Sequence, residues 1–138
     1  ATTFHPKDTN LFFFLSSLYE SNGLQDNAIL TYKKLLSIDP AHKEAKNSLA
    51  MLYNSKGVSL ALQGKTDDAI AAYKDALQNK EDFKEAYNNL GAAYVDKEMI
   101  DDAIAAYKKA LEISPNFGED YNNLGVAYTK KKAYEKAI

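Results

Sequence analysis

The sequence predicts an all-α repeat protein built from helical hairpins, and three observations carry that prediction. Tyrosines recur at one long fixed interval, which separates Tyr73 from Tyr107 and equally Tyr94 from Tyr128. Between them, apolar residues follow steps of 3 and 4, which is the spacing of one helix face. One interval is longer, because Tyr32 and Tyr73 are further apart than the other pairs by seven residues. A regular array with one local insertion is therefore expected.

The segment 84–115 shows the repeating unit most clearly. Its first apolar block is Tyr87, Leu90, Gly91 and Tyr94, and its second is Ala103, Ile104, Tyr107, Ala110 and Leu111. Asp101 and Asp102 precede the second block, where carboxylates favour the positive end of a helix dipole. Pro115 ends it, because proline disfavours helical backbone in the residue before it. Each unit is therefore a helix, a short turn and a second helix.

These residues resemble the tetratricopeptide repeat family, whose 34-residue hairpins carry a large residue, Leu, a small residue and Tyr, then Ala, an aromatic, Ala and Pro. In residues 84–117 the eight positions are Tyr87, Leu90, Gly91, Tyr94, Ala103, Tyr107, Ala110 and Pro115. The resemblance implies a single domain over residues 1–138, with repeats at about 9–42, 43–83, 84–117 and a truncated 118–138. It also implies a right-handed solenoid in which neighbouring hairpins bury each other's apolar stripes.

The second repeat carries the seven extra residues. Alignment of residues 43–57 with 84–98 pairs Ala50 with Gly91 and places the insertion at 58–64. Because seven residues make nearly two helical turns, the apolar stripe loses only about 20° of phase. We therefore expect an elongated first helix over residues 43–63 or so, with Gly57 as a possible break and Gly64 as its stop. The alternative is a length variant repacked inside the array.

The two ends of the array are expected to expose apolar residues. Residues 12–14 are three consecutive phenylalanines, and at least one ring must point outward because neighbours on a helix are about 100° apart. At the other end, Ala137 and Ile138 are expected about one turn into a second helix of the fourth repeat, which leaves the apolar side of residues 121–128 without a partner hairpin. The candidates for self-association are Phe13, Phe14, Tyr121 and Tyr128. The alternative is that the N-terminal rings cover a further repeat, which Pro6 would close.

Under the family's geometry, first-helix residues between the packing positions form a concave wall that binds a protein or peptide. The candidate binding residues are Asn47, Asn54, Glu85, Asn88, Asn89, Asp96, Glu119, Asn122, Asn123 and Lys130. Asparagine carries both donors and an acceptor, so a row of them can pair with the backbone of an extended peptide. The segments 87–91 and 121–125 resemble the asparagine ladder of O-linked N-acetylglucosamine transferases, with Asn47 and Ser48 as a weaker third step. Alternatively, these amides are solvated or bridge adjacent helices.

The same family also contains clamps that hold a C-terminal carboxylate between lysine, asparagine and arginine. Here Phe13, Ser17, Glu85 and Asn89 stand near the positions of that clamp. A carboxylate needs positive charge or charge-assisted donors. We therefore predict that this chain lacks that kind of site.

Other classes of function are disfavoured by composition. The 17 basic and 19 acidic residues provide no strong field for nucleic acid, and apolar runs of five residues are too short for membrane insertion. The chain has no cysteine, and its two histidines, His5 and His42, fall in predicted turns. We expect no cofactor, no metal and no catalytic activity. No signal peptide pattern is seen, and we expect a cytoplasmic location.

Three functions stay open from the sequence. The first is a protein-interaction scaffold with a concave binding surface. The second is a targeting or regulatory segment of a larger enzyme, such as a glycosyltransferase, which the resemblance to the asparagine ladder implies. The third is self-assembly through exposed ends of the solenoid.

Overall fold

A computed structural model of the chain describes residues 6–137, with side chains from residue 8 onward, and confirms the all-α fold. Its helices are α1 (Pro6–Ser21), α2 (Gln25–Ile38), α3 (Lys43–Leu62), α4 (Thr66–Asn79), α5 (Lys84–Asp96), α6 (Ile100–Ile113) and α7 (Phe117–Ala137). The pairs α1/α2, α3/α4 and α5/α6 form hairpins, and each helix also packs on the next along the chain. The hairpins therefore stack into a solenoid that ends with α7.

The three hairpins are closed by the same turn. Gly23 and Gly64 have φ values of 73° and 78°, in the left-handed region that glycine adopts without a steric penalty. Glu98 stands at the equivalent place with a φ of 60°. In each turn the next residue donates its backbone N–H to a carbonyl five residues earlier, as Met99 does to Tyr94 at 2.8 Å. This bond satisfies one of the carbonyls left free at the helix end.

Tyrosine rings of the second helices form the centre of each interface. Tyr32, Tyr73 and Tyr107 are all buried, and each belongs to the same core as the alanine four residues before it on its helix. The ring of Tyr107 lies directly against Gly91 of α5, where an added Cβ would come within 2.6 Å of it. A small residue is therefore required at that place for the two helices to approach closely.

The elongated helix of the second repeat is confirmed, since α3 has 20 residues and continues through Gly57 without a break.

On the side of α3 that faces the preceding hairpin, its residues align with those of α5 and α7 as the sequence comparison predicts. Three ion pairs connect the start of a second helix to the following first helix, each across the same interval in sequence: Asp26 with Lys56 at 3.3 Å, Asp67 with Lys97 at 2.8 Å, and Asp101 with Lys131 at 3.0 Å. On this side Lys56 is the equivalent of Lys97.

On the side of α3 that faces α4, the residues of α3 align with those of α5 differently. A Cβ added at Gly57 would lie 2.5 Å from the ring of Tyr73, as one at Gly91 would lie 2.6 Å from the ring of Tyr107. The interval in sequence from each glycine to its tyrosine is also the same. The pairing of Ala50 with Gly91 was therefore wrong for this interface, and Gly57 is the true equivalent. The two alignments differ by seven residues, which places α4 about 10 Å further along α3.

The fourth repeat also departs from the expectation, because α7 runs without interruption to Ala137 and no second helix begins there. In the second and third hairpins a tyrosine of the second helix packs on the glycine of the first. An added Cβ at Gly125 would meet nothing within 4 Å. Without that packing, continued helical hydrogen bonds are the favourable arrangement for residues 131–137. Ile138, the last residue, lies outside the described residues.

Replacing glycine by alanine tests these interfaces at matched sites. We expect Gly57→Ala to lower the free energy of unfolding by about 1–3 kcal/mol, because Tyr73 is buried and has no room to move away from the new methyl group. We expect Gly125→Ala to raise it by about 1 kcal/mol, because alanine favours a helix and meets no neighbour there. Urea unfolding followed by circular dichroism measures both. Equal effects at the two sites would contradict the assignment of Gly57.

Candidate functional site

An asparagine row crosses the three first helices α3, α5 and α7. Its members Asn54, Asn88 and Asn122 are evenly spaced in sequence at the repeat interval, in the alignment that the packing of Gly57 defines. The side chain of Asn89 donates from Nδ2 to Oδ1 of Asn54 at 2.9 Å, so α3 and α5 lie side by side here. Asn54, rather than Asn47, is therefore the α3 residue next to α5 in this row. Asn47 is exposed two turns earlier on α3, and a binding role for it stays a prediction.

Asn88 has an unusual environment in the middle of the row. Its Nδ2 donates a long hydrogen bond of 3.4 Å to Glu119 of α7. Its Oδ1 is buried and accepts no hydrogen bond from the described residues. If the hydrogen bond between Asn89 and Asn54 had an equivalent one repeat later, Nδ2 of Asn123 would donate to this oxygen. That hydrogen bond is not formed. Leaving a buried acceptor without a donor costs about 1–3 kcal/mol.

The charged candidates Glu85, Asp96, Glu119 and Lys130 are all exposed. The pKa of the Tyr107 hydroxyl is raised, first by burial and then by the negative charge of Asp96. The exposed charges among the expected binding residues are therefore mainly acidic.

An open cleft of about 470 Å³ runs along α7. Its lining includes three of the expected binding or contact residues, Tyr121, Asn122 and Lys130, together with Gly125, Val126 and Thr129. Asn122 is thus accessible from solvent. Asn123 is half-buried beside it.

The residues expected to self-associate divide into packed and exposed ones. Phe13 stacks on His42 with ring centres 5.3 Å apart and meets Tyr32 edge-on at 6.0 Å, so it belongs to the first hairpin's interior. Phe14 is the ring that points outward. Tyr121 stacks on Phe117 at 5.8 Å, and both rings are exposed. Tyr128 is exposed as well, with Nζ of Lys108 6.0 Å from the centre of its ring.

His42 has a structural role at the start of α3. Its Nδ1 accepts the backbone N–H of Ala45 at 3.1 Å and so caps the helix. His5 lies outside the described residues. Over residues 6–137, no cluster of three or more histidine, aspartate or glutamate side chains is arranged to hold a metal ion. No helix in the described part of the chain is long and apolar enough to cross a membrane.

Sequence reasoning missed a buried ion pair at the base of α7. The side chain of Asp120 is fully buried, and its Oδ2 lies 3.1 Å from Nζ of Lys84 and accepts the backbone N–H of Asn116 at 2.6 Å. Nζ of Lys84 also donates to the carbonyl oxygen of Ser114. Asp120 stands where the preceding repeat has the buried Ala86, and an aspartate in a first turn is usually solvated. This pair fixes the start of α7 against α5, and with it the position of Asn122 relative to Asn88.

The stacked hairpins and the asparagine-lined wall define an α-helical repeat protein with a polar groove. Family models described as tetratricopeptide repeat match residues 9–42, 85–117 and 106–138, and one described as TPR repeat matches residues 57–98. The chain belongs to the tetratricopeptide repeat family.

Two curated proteins share part of the chain. A probable UDP-N-acetylglucosamine–peptide N-acetylglucosaminyltransferase, SPINDLY of Hordeum vulgare, is 34% identical over 73 residues, which is 53% of this chain and 8% of that protein. The photosystem I assembly protein Ycf3 of Cyanophora paradoxa is 31% identical over 65 residues, which is 47% of this chain and 38% of that protein. The match therefore spans a small part of SPINDLY and a little over a third of Ycf3.

Solved structures share the fold over nearly the whole chain. A crystal structure of MamA is 25% identical, with a TM-score of 0.59, and the match covers 96% of this chain and 87% of that one. The first TPR of Spaghetti (RPAP3) bound to the HSP90 peptide SRMEEVD is 22% identical, with a TM-score of 0.54, and the match covers 94% of this chain and 97% of that one. The second likeness shows the fold alone.

The role of the buried pair can be tested by removing one partner and then both. We expect Asp120→Ala to lower the free energy of unfolding by about 3 kcal/mol, because Lys84 is left as a mostly buried charge without its partner. Adding Lys84→Met should recover most of that loss, since the preceding repeat buries alanine at the site of Asp120. Thermal and urea unfolding measure both variants. A double variant as unstable as Asp120→Ala would contradict the ion-pair explanation.

Proposed function

We propose that this chain is a non-catalytic binding module that holds an extended peptide segment of a partner protein along the asparagine row. The observation that carries the proposal is the even row of amides across the three first helices, with Asn122 exposed and lining the open cleft along α7. Asn88 lies between Asn54 and Asn122 in this row, and the three side chains carry both donors and acceptors. An extended backbone presents N–H and C=O groups that match such amides without regard to side-chain identity.

The electrostatics of the wall support a backbone ligand over a carboxylate ligand. The exposed charges among the expected binding residues are Glu85, Asp96 and Glu119, with Lys130 as the one cation. A terminal carboxylate would meet repulsion from these groups rather than charge-assisted donors. The RPAP3 domain bound to an HSP90 peptide is a peptide-binding member of the same fold, but nothing in the described wall of this chain favours that ligand.

The match to SPINDLY favours a second setting for the same activity. Within a transferase, an asparagine-lined groove would hold the substrate protein while catalysis takes place elsewhere in the enzyme. The chain spans 8% of that relative, so this setting is a proposal about the parent protein and not about chemistry in the described residues. The sequence of the full gene product tests it.

Binding along the row can be tested with a peptide selected by the wild-type chain from a random display library. We expect Asn88→Ala and Asn122→Ala each to weaken binding of the synthetic peptide roughly tenfold, because each removes hydrogen bonds worth about 1 kcal/mol. Asn47→Ala is the matched control, since it removes an exposed asparagine of α3 outside the row. Fluorescence anisotropy measures the affinities. Failure to select any peptide, or an equal loss in Asn47→Ala, would refute the proposal.

Self-association through α7 is a second candidate function, favoured by its exposed aromatic face. Phe117 and Tyr121 are each 62% exposed, and Gly125 beside them meets no neighbour. The spacing of 4 between these residues places them on one side of the helix. A second copy of the chain could bury this side, because large exposed apolar faces tend to associate.

Sedimentation equilibrium tests this second candidate. We expect the wild-type chain to form dimers as concentration rises, and we expect Tyr121→Glu to remain a monomer because it places a charge at the centre of the contact. Leu30→Asp is the control, as Leu30 is equally exposed but lies on α2. A wild-type chain that stays monomeric at high concentration would exclude this candidate.

A further inference from the structure

A cleft of about 440 Å³ lies between the first two hairpins, and no residue of the asparagine row lines it. Both α2 and α4 pack on α3, and all three helices contribute side chains to the cleft. Its volume is within the range of about 300–1,000 Å³ that is usual for small-molecule sites in proteins. The cleft is therefore large enough to hold a small ligand.

One cation and one anion line this cleft, and neither has a partner in the protein. Lys33 belongs to α2 and Asp75 to α4. Among the described residues, no ion pair involves the ammonium group of Lys33 or the carboxylate of Asp75. The pKa of the Tyr53 hydroxyl is raised, first by burial and then by the negative charge of Asp75, so this charge acts inside the cleft. A ligand that carries both charges can pair with both helices.

The equivalent cleft of the next repeat, of about 560 Å³, has a different arrangement of charge. Lys109 lines that cleft and follows Asp75 by one repeat interval. It pairs with Glu112 at 3.6 Å, so its charge has a partner within α6. At the place of Glu112, α4 carries the neutral Gln78. The unpaired carboxylate is therefore specific to the cleft between the first two hairpins.

Apolar side chains lie beside the two charged groups. Leu49 is buried, Leu36 and Tyr53 are half-buried, and all three line the cleft. An apolar side chain of a ligand would be removed from water by contact with them, which favours binding. The cleft thus combines an anion, a cation and an apolar surface, and these match the three parts of an apolar α-amino acid.

We propose that this cleft binds a free α-amino acid with an apolar side chain. The ammonium group of the ligand pairs with Asp75, its carboxylate pairs with Lys33, and its side chain packs on Leu36, Leu49 and Tyr53. Charge-assisted hydrogen bonds are about twice as strong as neutral ones, so recognition depends on both charges of the ligand. The bound ligand connects α2 to α4 and thereby couples the first hairpin to the second.

Leucine, N-acetyl-leucine and leucine amide are suitable probes, because the second lacks the ammonium group and the third lacks the carboxylate. Backbone amide chemical shifts of the isotope-labelled wild-type chain measure their binding. We expect leucine to shift the amides of Leu36, Tyr53 and Asp75 saturably, and each blocked form to bind at least about fivefold more weakly because it loses one charge-assisted pair. Absence of a saturable shift with leucine, or equal affinity for the three probes, would overturn the proposal.

Variants of the protein test each charge separately. Asp75→Asn should abolish the preference for leucine over N-acetyl-leucine and keep the preference over leucine amide, and Lys33→Met should do the reverse. Lys34→Met is the matched control, since it removes an exposed lysine of α2 that does not line the cleft. An equal effect in the control, or the opposite pattern of preferences, would contradict the assigned pairs. Peptide binding along the asparagine row is decided separately, by the library-selected peptide.

Discussion

The packing of a tyrosine ring on a glycine is the contact on which the solenoid depends. Tyr73 lies on Gly57 and Tyr107 on Gly91, each so closely that a single methyl group would not fit between them. Such contacts bring two helices near enough to bury the alanines around the ring. Because successive hairpins repeat the contact, the interval between these glycines equals the repeat length. At Gly125 no ring lies against the glycine, and α7 continues as one helix.

The insertion in α3 shows how the array accommodates seven residues without losing this contact. A shift of seven residues along a helix changes the direction of a side chain by only about 20°. One helix can therefore contact the preceding hairpin and its own second helix through the same apolar stripe, at positions seven residues apart. Tyr53 illustrates the result, since it precedes Tyr87 by one repeat interval and Tyr94 by that interval plus the insertion. It is half-buried and contacts both the core of the first hairpin and the core beside α4. A single helix thus connects two hairpins that are offset by two turns.

Much of this architecture could be predicted from the sequence because its cause is periodic. The recurring tyrosines and alanines indicated the hairpins, and the apolar insertion indicated the length of α3. The alignment within α3 stayed ambiguous in the sequence, because Ala50 keeps the repeat interval from Ser16 while Gly57 keeps the interval to Tyr73, and both residues are small. The contact between Gly57 and the ring of Tyr73 decides for Gly57 at this interface. The burial of Asp120 was equally hidden, because its partner Lys84 is 36 residues away and belongs to a different repeat.

The candidate site follows from the corrected alignment rather than from the motif alone. With Ala50 taken as the small residue, Asn47 would stand beside Asn88 and the row would be irregular. With Gly57 in that place, Asn54 completes an even row. The two-turn offset within α3 leaves α1 out of line with this row, and its Phe13 packs on His42. The asparagine row is therefore a property of α3, α5 and α7 together, and the buried pair of Lys84 and Asp120 holds the last of these helices in line.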